Sequence, residues 1–337
     1  MQWLENYKHK QKQKREQAQL KRLEKKHNAR LSGKAKKKCV TALCLGGGGA
    51  RGFAHIGALK AFEEAGIKFD YVAGTSIGSL IGAAYCMGKT ADEILAYALT
   101  LKERDIKTSK IPLTPSKSDG LEKVAKNFLG DINFSELKIP FTAVAVDIRT
   151  GEEVHITEGN LAKAIAGSCA VPLVFYPVEF EGKLLFDGGL QNNIPANVPK
   201  LNGCEITIGI DINSTRGSGT DSSNYFHLVG QAIGVMMKSN CIKGYLNADI
   251  MIQPDMKRFK STSFDGAVQM FEEGYLATKA RIPEIMELYS KRKVKKSFWS
   301  FLNFKKKGKD FEQVNLIEKD ENVDDEKSTV FTESPKE

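Results

Sequence analysis

VTALCLGGGGARG, residues Val40–Gly52, and YVAGTSIGSL, residues Tyr71–Leu80, decide how this chain folds. In the first stretch a short apolar run, Val40–Leu45, ends on four consecutive glycines. An apolar run of that length bounded by glycine reads as a buried strand entering a tight turn. Ala54–Ala65 follows with Ile56, Leu59, Ala61 and Phe62 at helical spacing, and it stops at Gly66, a residue suited to a helix end. In the second stretch Tyr71–Ala73 is another short strand, followed by Gly74-Thr75-Ser76 and a helix to about Met87. Strand, glycine turn, helix, strand, sharp turn, helix is the pattern of a parallel sheet covered by helices. The pattern predicts an α/β fold: a single domain with a central, mostly parallel sheet flanked by helices.

Outward from these stretches, Phe141–Asp147, Glu153–Ile156, Leu184–Phe186 and Glu205–Ile210 read as further strands. Helical spacing covers Ala91–Leu101, Gly120–Phe128, Asn160–Ala166, Leu228–Met237 and Gly266–Glu287. Asp105–Ser118, with Pro112 and Pro115, reads as a mobile loop or cap. Composition shifts mark the boundaries. Residues 1–38 form a basic arm, helical or disordered, and 39–287 the folded domain. Residues 288–337 are a basic-aromatic segment followed by an acidic disordered tail.

The chain has 337 residues, 41% of them hydrophobic and 27% charged, which is ordinary for a protein with a sizeable core. Its formal net charge of +9 sits mainly in the arm and in Lys291–Lys307, so a polyanionic surface is the partner it points to. The six cysteines form no CxxC pair, and several lie in apolar runs, where a reduced buried thiol is expected. No apolar segment follows the N-terminal charges, so no secretory signal is expected. The longest apolar stretch, Ala164–Val178, is too short to span a membrane and carries Pro172 and Pro177. A cytoplasmic protein is expected. Aromatics are scarce in the arm and it carries no recognition module, so no nucleic acid is expected as partner.

Gly74-Thr75-Ser76-Ile77-Gly78 fits G-x-S-x-G. A nucleophilic serine raised on a strand-to-helix turn needs glycine on both sides, because side chains at Gly74 and Gly78 collide with the turn. Ser79 falls inside the following helix and is the poorer nucleophile. The run Gly46-Gly47-Gly48-Gly49-Ala50-Arg51-Gly52 admits two readings. Gly47-x-Gly49-x-x-Gly52 matches a dinucleotide fingerprint, but that use needs an acid at the far end of the second strand. The acid present, Asp70, precedes that strand, and the strand's far end is the serine turn. In the other reading, backbone amides of the loop stabilise an oxyanion, and removing one such donor costs roughly 10²–10³ in rate.

For the base, His9 and His27 lie in the arm, and His55 reads as a packing or loop-orienting residue. Asp187 in Phe186-Asp187-Gly188-Gly189 ends a short strand, and Gly188 and Gly189 let the backbone turn so that the carboxylate reaches a neighbouring loop. His227, in the order serine, acid, histidine, is the alternative; His155 sits in a strand-like run. A non-catalytic lipid- or nucleotide-binding regulator is the reading from another class.

Taken together, Gly46–Gly52 with Ala54-His55-Ile56-Gly57, the Gly74–Gly78 turn and Asp187-Gly188-Gly189 resemble the patatin-like phospholipase family. Ser168-Cys169-Ala170-Val171-Pro172 with Phe175 and Pro177, and Asn192-Asn193-Ile194-Pro195, are similar to that family too. The resemblance runs from Cys39 to Ile285. It implies a Ser76–Asp187 dyad without histidine, with Gly47, Gly48, Gly49 and Arg51 forming or supporting the oxyanion loop. The implied substrate is a lipid acyl ester, cleaved without a metal or cofactor. Calcium is not called for, since no clustered oxygen-ligand loop occurs. Lys291–Lys307 interleaves basic residues with Phe298, Trp299, Phe301, Leu302 and Phe304, a mixture suited to peripheral contact with the inner face of a membrane.

Overall fold

A computed structural model of the chain describes residues 39–106, 115–213 and 225–307. The arm 1–38 and the acidic stretch after Lys307 lie outside the described residues, as does most of the loop or cap expected at 105–118. The chain divides into two compact units, Met1–Met286 and Glu287–Glu337.

In the first unit the two opening stretches fold as their patterns predict. Strand β1 (Thr41–Leu45) runs through the glycines and a 3-10 turn, Gly49–Gly52, into helix α1 (Phe53–Glu64). Strand β2 (Tyr71–Thr75) runs directly into α2 (Ile77–Met87). After α3 (Ala91–Ala98), α4 (Glu103–Ile106) and α5 (Asp119–Leu129) come β3 (Phe141–Asp147), β4 (Glu152–Ile156) and α6 (Leu161–Cys169). Then follow β5 (Val178–Phe180), β6 (Lys183–Asp187), α7 (Asn197–Leu201), β7 (Ile206–Ile210), α8 (Tyr225–Ser239), α9 (Ile242–Asn247) and β8 (Ile250–Ile252). The last helix, α10 (Ala267–Lys307), contains Pro283 and continues well past the expected end at Glu287. It includes the backbone of the basic-aromatic segment, whose side chains beyond Arg292 lie outside the described residues. Five short elements, α4, β5, β8, α7 and α9, escaped the sequence reading because three to six residues carry too little periodicity.

The hydrogen-bonded path through the sheet is β5-β6-β3-β2-β1-β7-β8, with β4 also paired to β3. Strands β3, β2, β1, β7 and β8 are parallel, and β4, β5 and β6 are antiparallel additions. Helices cover both faces of the parallel part, so β1, β2, β3 and β7 are buried throughout and read as continuous apolar runs. Leu43, Leu45, Ile208 and Ile210 of the sheet and Ile56, Leu59 and Phe62 of α1 are fully buried. Each such side chain stabilises the fold by roughly 1.5–3 kcal/mol relative to exposure.

Strand registers bring the two halves of the chain together. On β3, Ala143 and Val144 pair with β2 on one edge and with β4 on the other. Ala145 pairs with Val154 of β4 and with Asp187 of β6, so β6 lies on the same edge as β2. Thr75 is opposite Val144 and Asp187 is opposite Ala145. The end of β2 therefore meets the end of β6, and Ser76 and Asp187 come from those two ends.

One expectation is corrected. Cys39 and Cys204 are joined in a disulfide across a sequence separation of 165 residues. They precede β1 and β7, whose parallel pairing of Thr41 with Ile206 brings the two Cα atoms to 4.7 Å. Cys44, Cys86 and Cys241 are buried free thiols, and Cys169 is free and half-buried. Among the described residues no helix is long and apolar enough to cross a membrane.

Candidate active site

Ser76 takes φ 54° and ψ −130°, a backbone region that costs a non-glycine residue on the order of 1–3 kcal/mol. Its neighbours explain how the turn closes. A Cβ on Gly74 would lie 2.6 Å from the Gly78 carbonyl carbon, and a Cβ on Gly78 would lie 2.6 Å from that of Leu45 and 2.9 Å from the Gly46 oxygen. Three segments of backbone thus meet at van der Waals distance beneath the serine. We predict that Gly78→Ala lowers stability by about 1–3 kcal/mol, read as an earlier urea midpoint; an unchanged midpoint would show that the turn can open.

The turn is tied from below. The Ser76 amide donates to Ser168 Oγ at 3.0 Å, and that hydroxyl donates onward to the Val144 carbonyl at 2.6 Å. Ser79 is committed to the same scaffold, its hydroxyl donating to the Ser76 carbonyl at 2.6 Å. Ser168 thus links α2, α6 and β3. The sequence flagged it only within a resembling block, since nothing local in Ser168-Cys169-Ala170 announces that function.

Asp187 is fully buried, and Ser76 is 6% exposed. The Gly189 amide donates to Asp187 Oδ1 at 2.8 Å, an Asx turn that the two glycines permit. A Cβ on Gly189 would sit 3.1 Å from that same oxygen. Burial pushes the Asp187 carboxyl up to about 6, against the lowering influence of the Ser76 hydroxyl and the Gly189 amide. Oδ2 has no partner meeting full hydrogen-bond geometry. Ser76 is among the groups that act on the carboxyl, which places its hydroxyl in the carboxyl's neighbourhood. Cys169 lines the same spot, its Sγ 3.9 Å from Ser79 Oγ, and burial pushes its thiol up, which keeps it neutral.

The glycine loop packs against the serine: a Cβ on Gly47 would lie 3.0 Å from Ser76 Cβ and 2.6 Å from Asn193 Oδ1. The Gly47 amide donates to the Asn193 carbonyl at 3.1 Å, and the Ala50 amide to the Ser261 carbonyl at 2.9 Å. The amides of Gly48 and Gly49 have no acceptor among the described residues. Arg51 Nε and Nη2 donate to the Phe259 carbonyl, and Nη1 donates to Asn213 Oδ1 at 3.0 Å, so the guanidinium ties the loop to distant segments. Asn213 Nδ2 donates to the Gly47 carbonyl, as does Asn193 Nδ2 at 3.4 Å. In a trans peptide the carbonyl and the following N–H point in opposite directions, so pinning the Gly47 oxygen aims the Gly48 amide. Asn213 follows β7 with no local signal, and only the fold reveals it.

The histidines fall elsewhere. His55 Nε2 contacts the Gly46 carbonyl at 2.7 Å, and burial lowers its pKa to about 4, so it is a neutral loop-orienting residue as its position predicted. His155 Nε2 sits 2.6 Å from Glu153 Oε1. Burial works to raise the Glu153 carboxyl, but hydrogen bonds from His155, Asn192 and Lys243 outweigh it and hold the group at about 2. His227 falls in α8, and its side chain lies outside the described residues. Asp70 Oδ2 accepts the Val40 amide at 2.9 Å and the Thr41 amide at 3.2 Å, at the end of the sheet opposite the glycine loop. It is therefore placed to tie strands, not to hold a ribose. Among the described residues no group of three or more His, Cys, Asp or Glu is arranged to hold a metal ion.

A helix-covered α/β sheet that raises a strained serine against a buried carboxylate defines an α/β protein of the serine-elbow kind. Residues 43–199 match the family model for Patatin-like phospholipase. An NTE family protein of Mycobacterium tuberculosis is 35% identical over 179 residues, covering 52% of this chain and 49% of its own. Neuropathy target esterase sws of Drosophila melanogaster is 37% identical over 194 residues, covering 54% of this chain and 13% of that protein. The chain thus spans about half the length of the mycobacterial relative and a small part of the fly one. Among solved structures, VipD from Legionella pneumophila superposes with a TM-score of 0.53 at 13% identity, over 73% of this chain and 67% of VipD, a likeness of fold alone.

Proposed function

We propose that the domain 39–287 hydrolyses acyl esters of lipids in two steps, with Ser76 as nucleophile and Asp187 as base. The observation that carries this reading is the buried Asp187 carboxyl, held by the Gly189 amide and facing the strained Ser76. Ser76 Oγ attacks the ester carbonyl while Asp187 takes its proton, and the tetrahedral oxyanion is stabilised by the amides of Gly48 and Gly49. Collapse forms the acyl-serine and expels the alcohol, which takes the proton from Asp187. Water then repeats the sequence and releases the fatty acid. The match to the patatin-like phospholipase family supports a lipid ester as substrate.

An alkyl fluorophosphonate probe tests the nucleophile. The expected result is a single covalent adduct on the peptide containing Ser76, together with fatty-acid release from phospholipid vesicles. A folded wild-type protein that neither takes up the probe nor releases fatty acid from vesicles or from a soluble ester sinks the hydrolase reading. The Ser–His–Asp alternative makes a separate demand, since His227→Ala would then abolish activity; with Asp187 as base, that variant keeps its rate.

Asn213 offers a finer test of the oxyanion assignment. Loss of its amide leaves the Gly47 carbonyl with only the longer Asn193 contact of 3.4 Å and loosens the Gly48 amide, while the donor itself remains. Asn213→Ala is expected to lower kcat by roughly tenfold with little change in KM, less than the 10²–10³ typical of deleting a donor. Steady-state kinetics on a soluble ester decide it, and an effect confined to KM would count against this assignment.

A further inference from the structure

Helix α8 turns apolar residues to solvent. Tyr225, Leu228, Ala232, Val235 and Met236 recur at three- and four-residue spacing, the period of one helix face, and all are exposed. Val235 is 61% and Met236 58% exposed, and α9 extends the same character with Ile242 at 61% and Leu246 at 78%. Large side chains clustered in this way form an apolar ridge facing solvent, a mark of an interaction surface.

The ridge is joined to the candidate site. Asn240, just after α8, donates its side-chain amide to the Leu190 carbonyl at 2.7 Å, and the Asn193 amide donates to the Asn240 carbonyl at 3.4 Å. The Met237 methyl lies where a side chain on Gly189 would be. The turn that begins at Asp187 thus rests on the inner side of the helix whose outer side is apolar.

Charge identifies the occupant. From Tyr225 to Asn247 there is no Asp or Glu, while Lys238 and Lys243 are exposed beside the ridge. Lys243 also pairs with Glu153 at 2.9 Å, and Lys238 meets no carboxylate among the described residues. An apolar strip with lysines at its flank and no acid of its own fits the interface of an anionic bilayer, where the apolar side chains enter the acyl boundary and the ammonium groups meet headgroups. A second copy fits less well: a two-fold contact would set these lysines against their own images with no acid in the strip to answer them.

We propose that the α8–α9 ridge docks the protein on an anionic lipid surface, bringing the Ser76 site to lipid esters held there. The docking rests, for its purpose, on the lipid-ester reading of that site. The test uses the full chain, vesicles of phosphatidylcholine with and without phosphatidylglycerol, and a soluble short-chain nitrophenyl ester. Two double variants, Val235→Asp with Met236→Asp and Ile242→Asp with Leu246→Asp, alter exposed side chains that the fold does not bury. Wild type is expected to sediment with phosphatidylglycerol vesicles. Both variants should partition at least tenfold less and release fatty acid from vesicles correspondingly slower, while hydrolysing the soluble ester at the wild-type rate. Variants that sediment like wild type overturn the docking, as does a wild type that ignores the vesicles. Variants that change only from dimer to monomer on a sizing column also overturn it, in favour of a homotypic contact. Ridge-dependent sedimentation by a protein inert on both esters would leave the docking standing and remove the hydrolase reading.

Discussion

Ser76→Ala is expected to lower kcat/KM on a soluble ester by about 10⁴–10⁶, the range seen when the nucleophile of a serine hydrolase is deleted. The loss should come without unfolding. Ser76 holds φ 54° through the packing of Gly74 and Gly78 around it, and alanine has to adopt the same conformation at the same cost. Ser76→Gly should be equally inactive but melt higher than Ser76→Ala, because glycine enters that region without strain. Tm values and rates for the pair separate the two statements. If Ser76→Ala keeps its activity, the nucleophile lies elsewhere, and Ser79, inside α2 and bonded to the Ser76 carbonyl, is poorly placed to replace it.

Asp187→Asn is expected to slow turnover by roughly 10³–10⁴, since an amide cannot take the serine proton. It should also stabilise the fold at neutral pH. Burial raises the Asp187 carboxyl from 3.8 to about 6 in the folded protein, so the folded state binds this proton more tightly than the unfolded chain. Below pH 3.8 the carboxyl is protonated in both states and carries no penalty. The penalty grows as pH rises from 3.8 to about 6 and is constant above. Carrying the charge in the folded state at neutral pH then costs about 3 kcal/mol. Removing the charge should therefore raise stability at about pH 8 by up to that amount and by little at about pH 4. The same ionisation predicts a wild-type kcat/KM that climbs with pH, bends near 6 and is level above it. Denaturant titrations of wild type and variant at the two pH values, with the rate profile, check both halves; a stability difference independent of pH would show that Asp187 is already ionised without penalty.

The fold class was legible because it depends on local rules. An apolar run short enough for a strand, glycines that allow a turn where backbones nearly touch, and apolar residues at helical spacing are each written in neighbouring residues. Both ends of the proposed dyad were legible for the same reason: a serine between two glycines and an aspartate before two more announce their turns locally. The expectation of reduced cysteines failed at Cys39 and Cys204 because a separation of 165 residues hides their proximity, which the pairing of β1 with β7 creates.

What only the tertiary structure decided is register and facing. That Ser76 meets Asp187 depends on β2 and β6 following one another along one edge of β3, with Val144 opposite Thr75 and Ala145 opposite Asp187. That Ser168 and Asn213 hold the serine turn and the glycine loop depends on segments far apart in the chain meeting at the ends of parallel strands. That the apolar face of α8 looks outward could not be read either, because helical periodicity says which residues share a face and nothing about which side the core lies on. Steric and hydrophobic patterns act between neighbours and are carried by the sequence directly, whereas contacts between distant segments exist only once the whole sheet has chosen its order.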